Sequence, residues 1–269
     1  FIFLSFEIGK WIVVNNTSLT SSYEPFNSFN NFYSLFSNLI LIHGWYGWSF
    51  NLPSWSISTE FYTYLIFGII VLNFGKNKTI FLLMIFLSLV IFFLNNYGFI
   101  FLDKFIYPAR CIYSFFIGVL TFCFYAKHKD ETTPYLFLLL SIIINIALIT
   151  QSDRFSLNYE YIILPISFSL TIFFASTMKK DNFLFEVLSN KFLVYLGSIS
   201  YGVYMIHFAV VWCFRQVSKI IFKVSDIDNN ILLFDKYTGL LLTIMILGII
   251  IFLSHISLNY FENKFKVKN

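Results

Sequence analysis

The chain contains repeated apolar stretches, most of them close to the roughly 20 residues with which a helix crosses the hydrocarbon core of a bilayer. Hydrophobic residues make up 58% of its 269 residues and charged residues only 12%, which leaves too little polar surface for an ordinary water-soluble domain. With polar residues as boundaries, the eight stretches are 1–14, 55–73, 79–94, 111–126, 135–150, 159–178, 201–222 and 237–257. Composition therefore indicates an integral membrane protein.

Helices are the expected form of these stretches, because a span must satisfy its own backbone hydrogen bonds and the alternation of a membrane barrel is absent. The sequence predicts an all-α polytopic transmembrane helix bundle with seven full spans and one partial span. The stretches at 79, 111 and 135 are short, so we expect their helices to extend into flanking residues. Residues 1–14 lack the features of a signal peptide, and we interpret them as the end of a helix that begins upstream.

Lys and Arg residues are unevenly distributed between alternate connections, and short cytoplasmic loops collect them. One set of connections, with the C-terminal tail, holds ten basic residues and the opposite set holds seven. The long segment 15–54 belongs to the second set and contains no Lys or Arg. These counts predict a multi-pass protein of the cell membrane whose C-terminus is cytoplasmic and whose segment 15–54 faces outward.

Several function classes have no support in the sequence. The three cysteines, Cys111, Cys123 and Cys213, all lie in apolar stretches, where a free thiol behaves as a small apolar group. They form no metal-binding pattern, and we expect no metal. There is no glycine-rich phosphate loop and no nucleic-acid-binding signature, so we expect no nucleic-acid partner.

Glu60 is an ionisable residue inside an apolar stretch, where charges are costly and usually functional. Ser56, Thr59 and Thr63 recur with it at helical spacing, so one face of this helix is polar. Either the carboxylate stabilises the helix start, or it contacts a substrate. Trp55 stands at the same end with Trp45, Tyr46 and Trp48, as an interfacial aromatic belt or as a stacking surface for a sugar.

His207 is the second candidate. Ser200, Tyr204 and His207 are spaced i, i+4 and i+7 and share a helical face. His207 lies ten residues beyond Gly197, or about 15 Å along a helix, which predicts a position near the middle of the bilayer. The residue either forms a hydrogen bond between helices or serves a buried cavity as proton carrier or ligand.

Four segments of the sequence share a pattern with a known family: Asn51–Tyr64, Pro108–Gly118, Leu196–His207 and Asn259–Phe265. Together they resemble the acyltransferase-3 family of membrane-bound O-acyltransferases that modify bacterial surface polysaccharides. The first resembles the family's Asn-Pro-Pro-x-Trp-Ser-Leu-Ser-Val-Glu signature, with Leu52 for the first Pro and Thr59 for Val. The third matches its Leu-Gly-x-x-Ser-Tyr-x-x-Tyr-x-x-His element. In the fourth, Lys264 stands where the family has Pro.

The resemblance implies a ten-helix fold in which residues 1–269 form one transmembrane acyltransferase-like domain without the first two helices. It implies transfer of an acyl group, most often acetyl, from cytosolic acyl-CoA to a hydroxyl of an extracytoplasmic glycan or glycolipid in the bacterial inner membrane. No bound cofactor is implied; acyl-CoA (acetyl-CoA) is the donor substrate. The family's presumed catalytic His belongs to the missing first helix.

By the same resemblance, Glu60 and His207 are the catalytic candidates in this sequence. The substrate-binding candidates are Trp55, Ser56, Ser58, Arg110, Ser200, Tyr201 and Tyr204. Two other interpretations remain open. A polytopic protein with intramembrane Glu and His could be a transporter or exporter, although paired broken helices are not evident. The chain could also be an inactive truncated remnant, since it lacks the presumed base.

The charge distribution yields a testable topology. In a cysteine-free background, a single Cys at position 20 should react with an impermeant maleimide in intact cells. A single Cys at position 128, our matched control, should react only after the membrane is permeabilised. The reverse pattern would show that the orientation is wrong.

Overall fold

A computed structural model describes residues 7–9, 11–12, 15, 32–45, 49–97, 104–151, 157–179, 181–221 and 236–265. This part of the chain is 87% helical and contains no strand, which confirms the predicted all-α class. The helices are α1 (Phe32–Leu39), α2 (Trp55–Phe74), α3 (Lys78–Asn96), α4 (Ile106–His128), α5 (Tyr135–Thr150), α6 (Leu157–Thr177), α7 (Phe183–Leu188), α8 (Lys191–Ile221), α9 (Lys236–Ser257) and α10 (Asn263–Phe265).

Seven of these helices correspond to the full spans expected from the sequence. Within the described ranges, five are long and apolar enough to cross a membrane: Leu52–Phe74, Lys78–Asn95, Ile106–His128, Lys191–Arg215 and Tyr237–Glu262. Two shorter apolar helices, Tyr135–Thr150 and Tyr161–Thr177, accompany them. Of the expected partial span 1–14, residues 7–9 and 11–12 are helical, and its other residues lie outside the description.

Two boundaries differ from the expected ones for local reasons. The helix expected at 201 begins ten residues earlier, as α8, because the Asn190 side chain accepts a hydrogen bond from the Phe192 amide at 2.9 Å and caps the helix. The stretches at 79 and 111 extend into flanking residues as expected. The helix at 135 does not, since Pro134 precedes it and Gln151 ends it.

The described chain divides into two compact units, one of Phe1–Phe50 and Trp55–Leu188 and the other of Asn51–Ser54 and Ser189–Asn269. In the first unit, aromatic side chains hold α2, α3 and α4 together. Phe81 and Phe116 are almost wholly buried, with ring centroids 5.7 Å apart, and Phe67 packs on both. A second cluster joins α6 through Tyr161, which stacks on Phe92 at 4.0 Å.

Helices α4 and α6 run in the same direction. The Tyr113 hydroxyl donates to the Ile162 carbonyl at 3.2 Å, and the Phe124 and Phe173 rings lie 5.1 Å apart. The two contacts are separated by eleven residues on each helix (124 − 113 and 173 − 162). Pro165, inside α6, has no amide hydrogen to donate to the carbonyl four residues earlier, so this turn of α6 has one helical hydrogen bond fewer. The Tyr113 hydroxyl binds α4 to the same turn.

In the second unit, α8 and α9 approach closely where small residues face each other. A Cβ atom at Gly202 would lie 3.1 Å from the Cβ of Ser254, which is fully buried. Small residues of this kind allow transmembrane backbones to pack closely. Nearby, His255 is held at both ring nitrogens, by Tyr195 at 2.9 Å and by Asn259 at 2.8 Å, as suits a structural residue.

This close approach predicts that Gly202→Leu will destabilise the protein, because a larger side chain must push α8 and α9 apart. Overpacking typically costs about 1–3 kcal/mol. Gly248→Leu on α9 is the matched control, because a Cβ there would meet nothing within 4 Å. Thermal unfolding in detergent should show a lower midpoint for Gly202→Leu alone. Equal midpoints would contradict the packing described.

Candidate functional site

The polar face predicted on α2 exists, and most of its hydroxyls are bonded within the helix. Thr59 donates to the Ser56 carbonyl at 2.7 Å, and Thr63 donates to the Thr59 carbonyl at 2.8 Å. Both threonines are buried, and the Thr63 hydroxyl also lies 3.4 Å from the Cys111 sulfur on α4. Helix α4 therefore packs directly on this polar face.

Glu60 differs from its polar neighbours. Its carboxylate is half-buried and forms no hydrogen bond or ion pair with any residue in the described ranges. It is close enough to Cys111 to interact with it electrostatically. A carboxylate in an apolar helix without a cation or donor is energetically costly. This makes Glu60 the strongest ligand-binding candidate of the first unit.

Ser58 has a different environment, because it binds the segment that follows α1. Its side chain is fully buried, its hydroxyl donates to the Leu41 carbonyl, and it accepts a hydrogen bond from the Gly44 amide at 3.0 Å. Tyr62 extends this contact by donating to the Ile40 carbonyl at 2.8 Å. The two hydrogen bonds of the Ser58 hydroxyl thus fix the 40–45 segment against α2.

The end of α1 explains how this segment reaches α2. Leu41 has a φ of 58°, in the left-handed region, and the Ile42 amide donates to the Ser37 carbonyl at 2.9 Å while the Leu41 amide donates to that of Asn38 at 3.3 Å. This is the Schellman pattern of helix termination. His43 follows and is 5% exposed. Sequence reasoning missed it, because no apolar stretch or periodic face marks it.

The aromatic residues at this end are packed in pairs. Trp55 lies 5.0 Å from Tyr107 of α4, and Trp45 lies 4.8 Å from Tyr62 of α2, measured between ring centroids. Tyr46 and Trp48 lie outside the described residues. Whether Trp55 also stacks on a sugar stays a prediction.

Arg110 is exposed on α4, and its guanidinium forms no hydrogen bond or ion pair with the residues described. It stands at one end of a groove of about 320 Å³ between α4 and α6. The groove is lined by Arg110, Ser114, Gly118, Leu164, Pro165, Phe168, Ser169 and Ile172.

In the second unit, the orientation of His207 is fixed by its own helix. Its Nδ1 lies 2.7 Å from the Tyr204 carbonyl and 3.2 Å from that of Val203. A carbonyl only accepts, so Nδ1 carries the proton and Nε2 of the neutral ring bears the lone pair. Nε2 has no partner among the described residues. With α8 beginning at Lys191, His207 lies four residues beyond the centre of the Lys191–Arg215 span, about 6 Å from the expected midplane.

Tyr204 connects two of the sequence motifs. Its hydroxyl donates to the Pro53 carbonyl at 2.7 Å, and the Asn51 side chain donates to the Met205 carbonyl at 2.8 Å. The Asn51–Ser54 turn, which immediately precedes α2 in the chain, is thereby fixed to α8. Ser200 bonds the Gly197 carbonyl at 2.8 Å, and Tyr201 is 52% exposed.

Among the predicted residues, the first unit thus contains Trp55, Ser56, Ser58, Glu60 and Arg110. The second contains Ser200, Tyr201, Tyr204 and His207. The described ranges contain no group of three or more His, Cys, Asp or Glu side chains that could hold a metal ion.

Apolar helices that are long enough to cross a membrane define a multi-pass membrane protein. A family model described as an acyltransferase domain matches residues 8–260, nearly the whole chain. The chain belongs to this family, the acyltransferase-3 family. Neither the curated proteins nor the solved structures give a match.

The contact between Ser58 and the 40–45 segment predicts that Gly44→Ala will be destabilising. A Cβ at Gly44 would lie 2.7 Å from the Trp55 carbonyl oxygen and 2.8 Å from Ser58 Oγ. Separating these groups should cost about 1–3 kcal/mol. Gly68→Ala, where a Cβ meets nothing within 4 Å, should leave the unfolding midpoint unchanged or raise it. A Gly44→Ala midpoint at or above wild type would contradict the docking.

Proposed function

We propose that the protein transfers an acyl group, acetyl in the simplest case, from cytosolic acyl-CoA to a hydroxyl of an extracytoplasmic glycan or glycolipid. Family membership supports acyl transfer, and the helices support a membrane location. The single observation that carries the residue assignment is the contact of His207 Nδ1 with the Tyr204 carbonyl at 2.7 Å, which leaves Nε2 without a partner among the described residues. The bacterial inner membrane is the proposed location, with acyl-CoA and the glycan as partners.

The reaction requires a proton acceptor. The hydroxyl oxygen attacks the thioester carbonyl, a C–O bond forms, the C–S bond breaks, and the hydroxyl proton must leave. His207 Nε2 is suited to receive a proton or a hydrogen bond from the reacting groups. Protonation would strengthen the Nδ1 hydrogen bond to the Tyr204 carbonyl, since charge-assisted hydrogen bonds are the stronger ones. The geometry therefore favours a proton held at His207.

Glu60 is proposed to bind the acceptor. A carboxylate accepts hydrogen bonds from hydroxyl groups, and this one is not engaged by a described donor. Trp55 and Ser56, at the same end of α2, are proposed to contact the acceptor as well, and Ser200 and Tyr201 the donor. For Ser58 and Tyr204 we propose a supporting part, because their hydroxyls fix the 40–45 segment and the turn before α2.

The test uses the full-length protein in vesicles with acyl-CoA and the native glycan acceptor. Thioester consumption and acylated glycan are measured separately for Glu60→Gln and His207→Gln. His207→Gln should lower glycan acylation by about 100-fold, the size of a general acid–base contribution. Glu60→Gln should lower it by weakening acceptor binding, and both variants should keep the wild-type unfolding midpoint.

The matched control is His128→Gln, because His128 pairs with Glu131 at 2.8 Å near the end of α4 and has no part in the proposal. It should retain full activity. Glycan acylation at the wild-type rate by both Glu60→Gln and His207→Gln would exclude these residues from the reaction. A lower unfolding midpoint with normal turnover per folded molecule would assign them to packing.

A further inference from the structure

The groove between α4 and α6 combines one cation with apolar walls. Its polar lining residues other than Arg110 are Ser114 and Ser169, and their hydroxyls are bonded to carbonyls of their own helices, at 2.9 and 2.8 Å. Leu164, Phe168 and Ile172 supply the hydrocarbon surface. The charged group of the groove lining is therefore the Arg110 guanidinium. It has no hydrogen bond or ion pair with any residue in the described ranges.

Within the described ranges, no residue near Arg110 neutralises its charge. Tyr161, one turn before Leu164 on α6, interacts with it electrostatically, but a phenol is neutral at physiological pH. Glu60, also in this unit, forms no ion pair with it. The groove thus presents a positive charge to an anionic ligand.

The depth of Arg110 matches a lipid headgroup. Arg110 lies four residues after the start of α4, or about 6 Å along the helix. The Trp55–Tyr107 pair marks the same end, and such aromatic residues are common at the membrane interface. From there the groove continues past Gly118, eight residues or about 12 Å further along α4.

We propose that this groove binds a membrane lipid with a phosphate headgroup, the phosphate on Arg110 and one hydrocarbon chain along α4 and α6. Arg binds phosphate through paired, charge-assisted hydrogen bonds, and the apolar walls match an acyl chain. Binding does not depend on acyl transfer, so the site can be tested independently of the proposed function.

The probe is phosphatidylglycerol with a photoactivatable group in one acyl chain, added to the full chain in phosphate-free maltoside micelles. Diacylglycerol with the same chains is the comparison. After irradiation, mass spectrometry should locate the label on peptides from 106–128 and 157–177 for phosphatidylglycerol, with much less label from diacylglycerol. Excess inorganic phosphate should displace little of the probe, because it lacks the hydrocarbon chain.

Two variants test the two halves of the site. Arg110→Gln should reduce labelling about tenfold, in line with the loss of a charged hydrogen bond. Gly118→Leu should reduce it by filling the groove, since a Cβ at Gly118 meets nothing within 4 Å. The matched controls are Arg215→Gln for the charge and Gly68→Leu for the helix surface, and both should label as wild type.

The unfolding midpoint of each variant is measured first. If either Arg110→Gln or Gly118→Leu does not fold, the labelling of the other variant tests the proposal. Labelling that is equal for diacylglycerol, or displaced by inorganic phosphate, would overturn the proposal. So would the absence of label from α4 and α6, or labelling that the folded Arg110 and Gly118 variants leave unchanged. Loss of acylation without loss of labelling would bear on the proposed function alone.

Discussion

A bilayer core offers no water, so each polar group in a span must find its partner inside the protein. The described helices meet this constraint mainly through local bonds, in which a Ser or Thr hydroxyl donates to a carbonyl three or four residues earlier. Ser88, Thr121 and Ser254 are examples. Glu60 and Arg110 are different, because their charged groups have no such bond among the described residues. The proposals for Glu60 and Arg110 rest on that contrast.

A second use of polar groups is to join segments that are distant in sequence. Asn51 donates to the Met205 carbonyl and Tyr204 donates to the Pro53 carbonyl, each across more than 150 residues of chain. The Asn51–Ser54 turn is fixed to α8 as a result. Ser58 does the same for the 40–45 segment in the other unit. Residues within the family's motifs therefore include some that hold the backbone in place.

The spans were predictable because hydrophobicity persists over whole helices, and the structure agrees to within a few residues for α2, α3, α6 and α9. Helix α8 was placed ten residues late, since its first turns contain Lys191, Tyr195 and Ser198 and are less apolar than its centre. Helix α1 was not predicted. Its eight residues are too few to stand out, and its end depends on a left-handed Leu41 that sequence patterns do not reveal.

The sequence by itself determined that the chain is a helical membrane protein and which polar faces its helices carry, because hydropathy and the 3.6-residue repeat are local properties. The family followed from four ordered motifs and a match over residues 8–260. Only the tertiary structure decided which polar side chains are already engaged. Ser58 and Tyr204 bond to backbone, whereas Glu60 and Nε2 of His207 have no hydrogen-bond partner among the described residues. Such partners depend on distances between elements, which no local sequence pattern encodes.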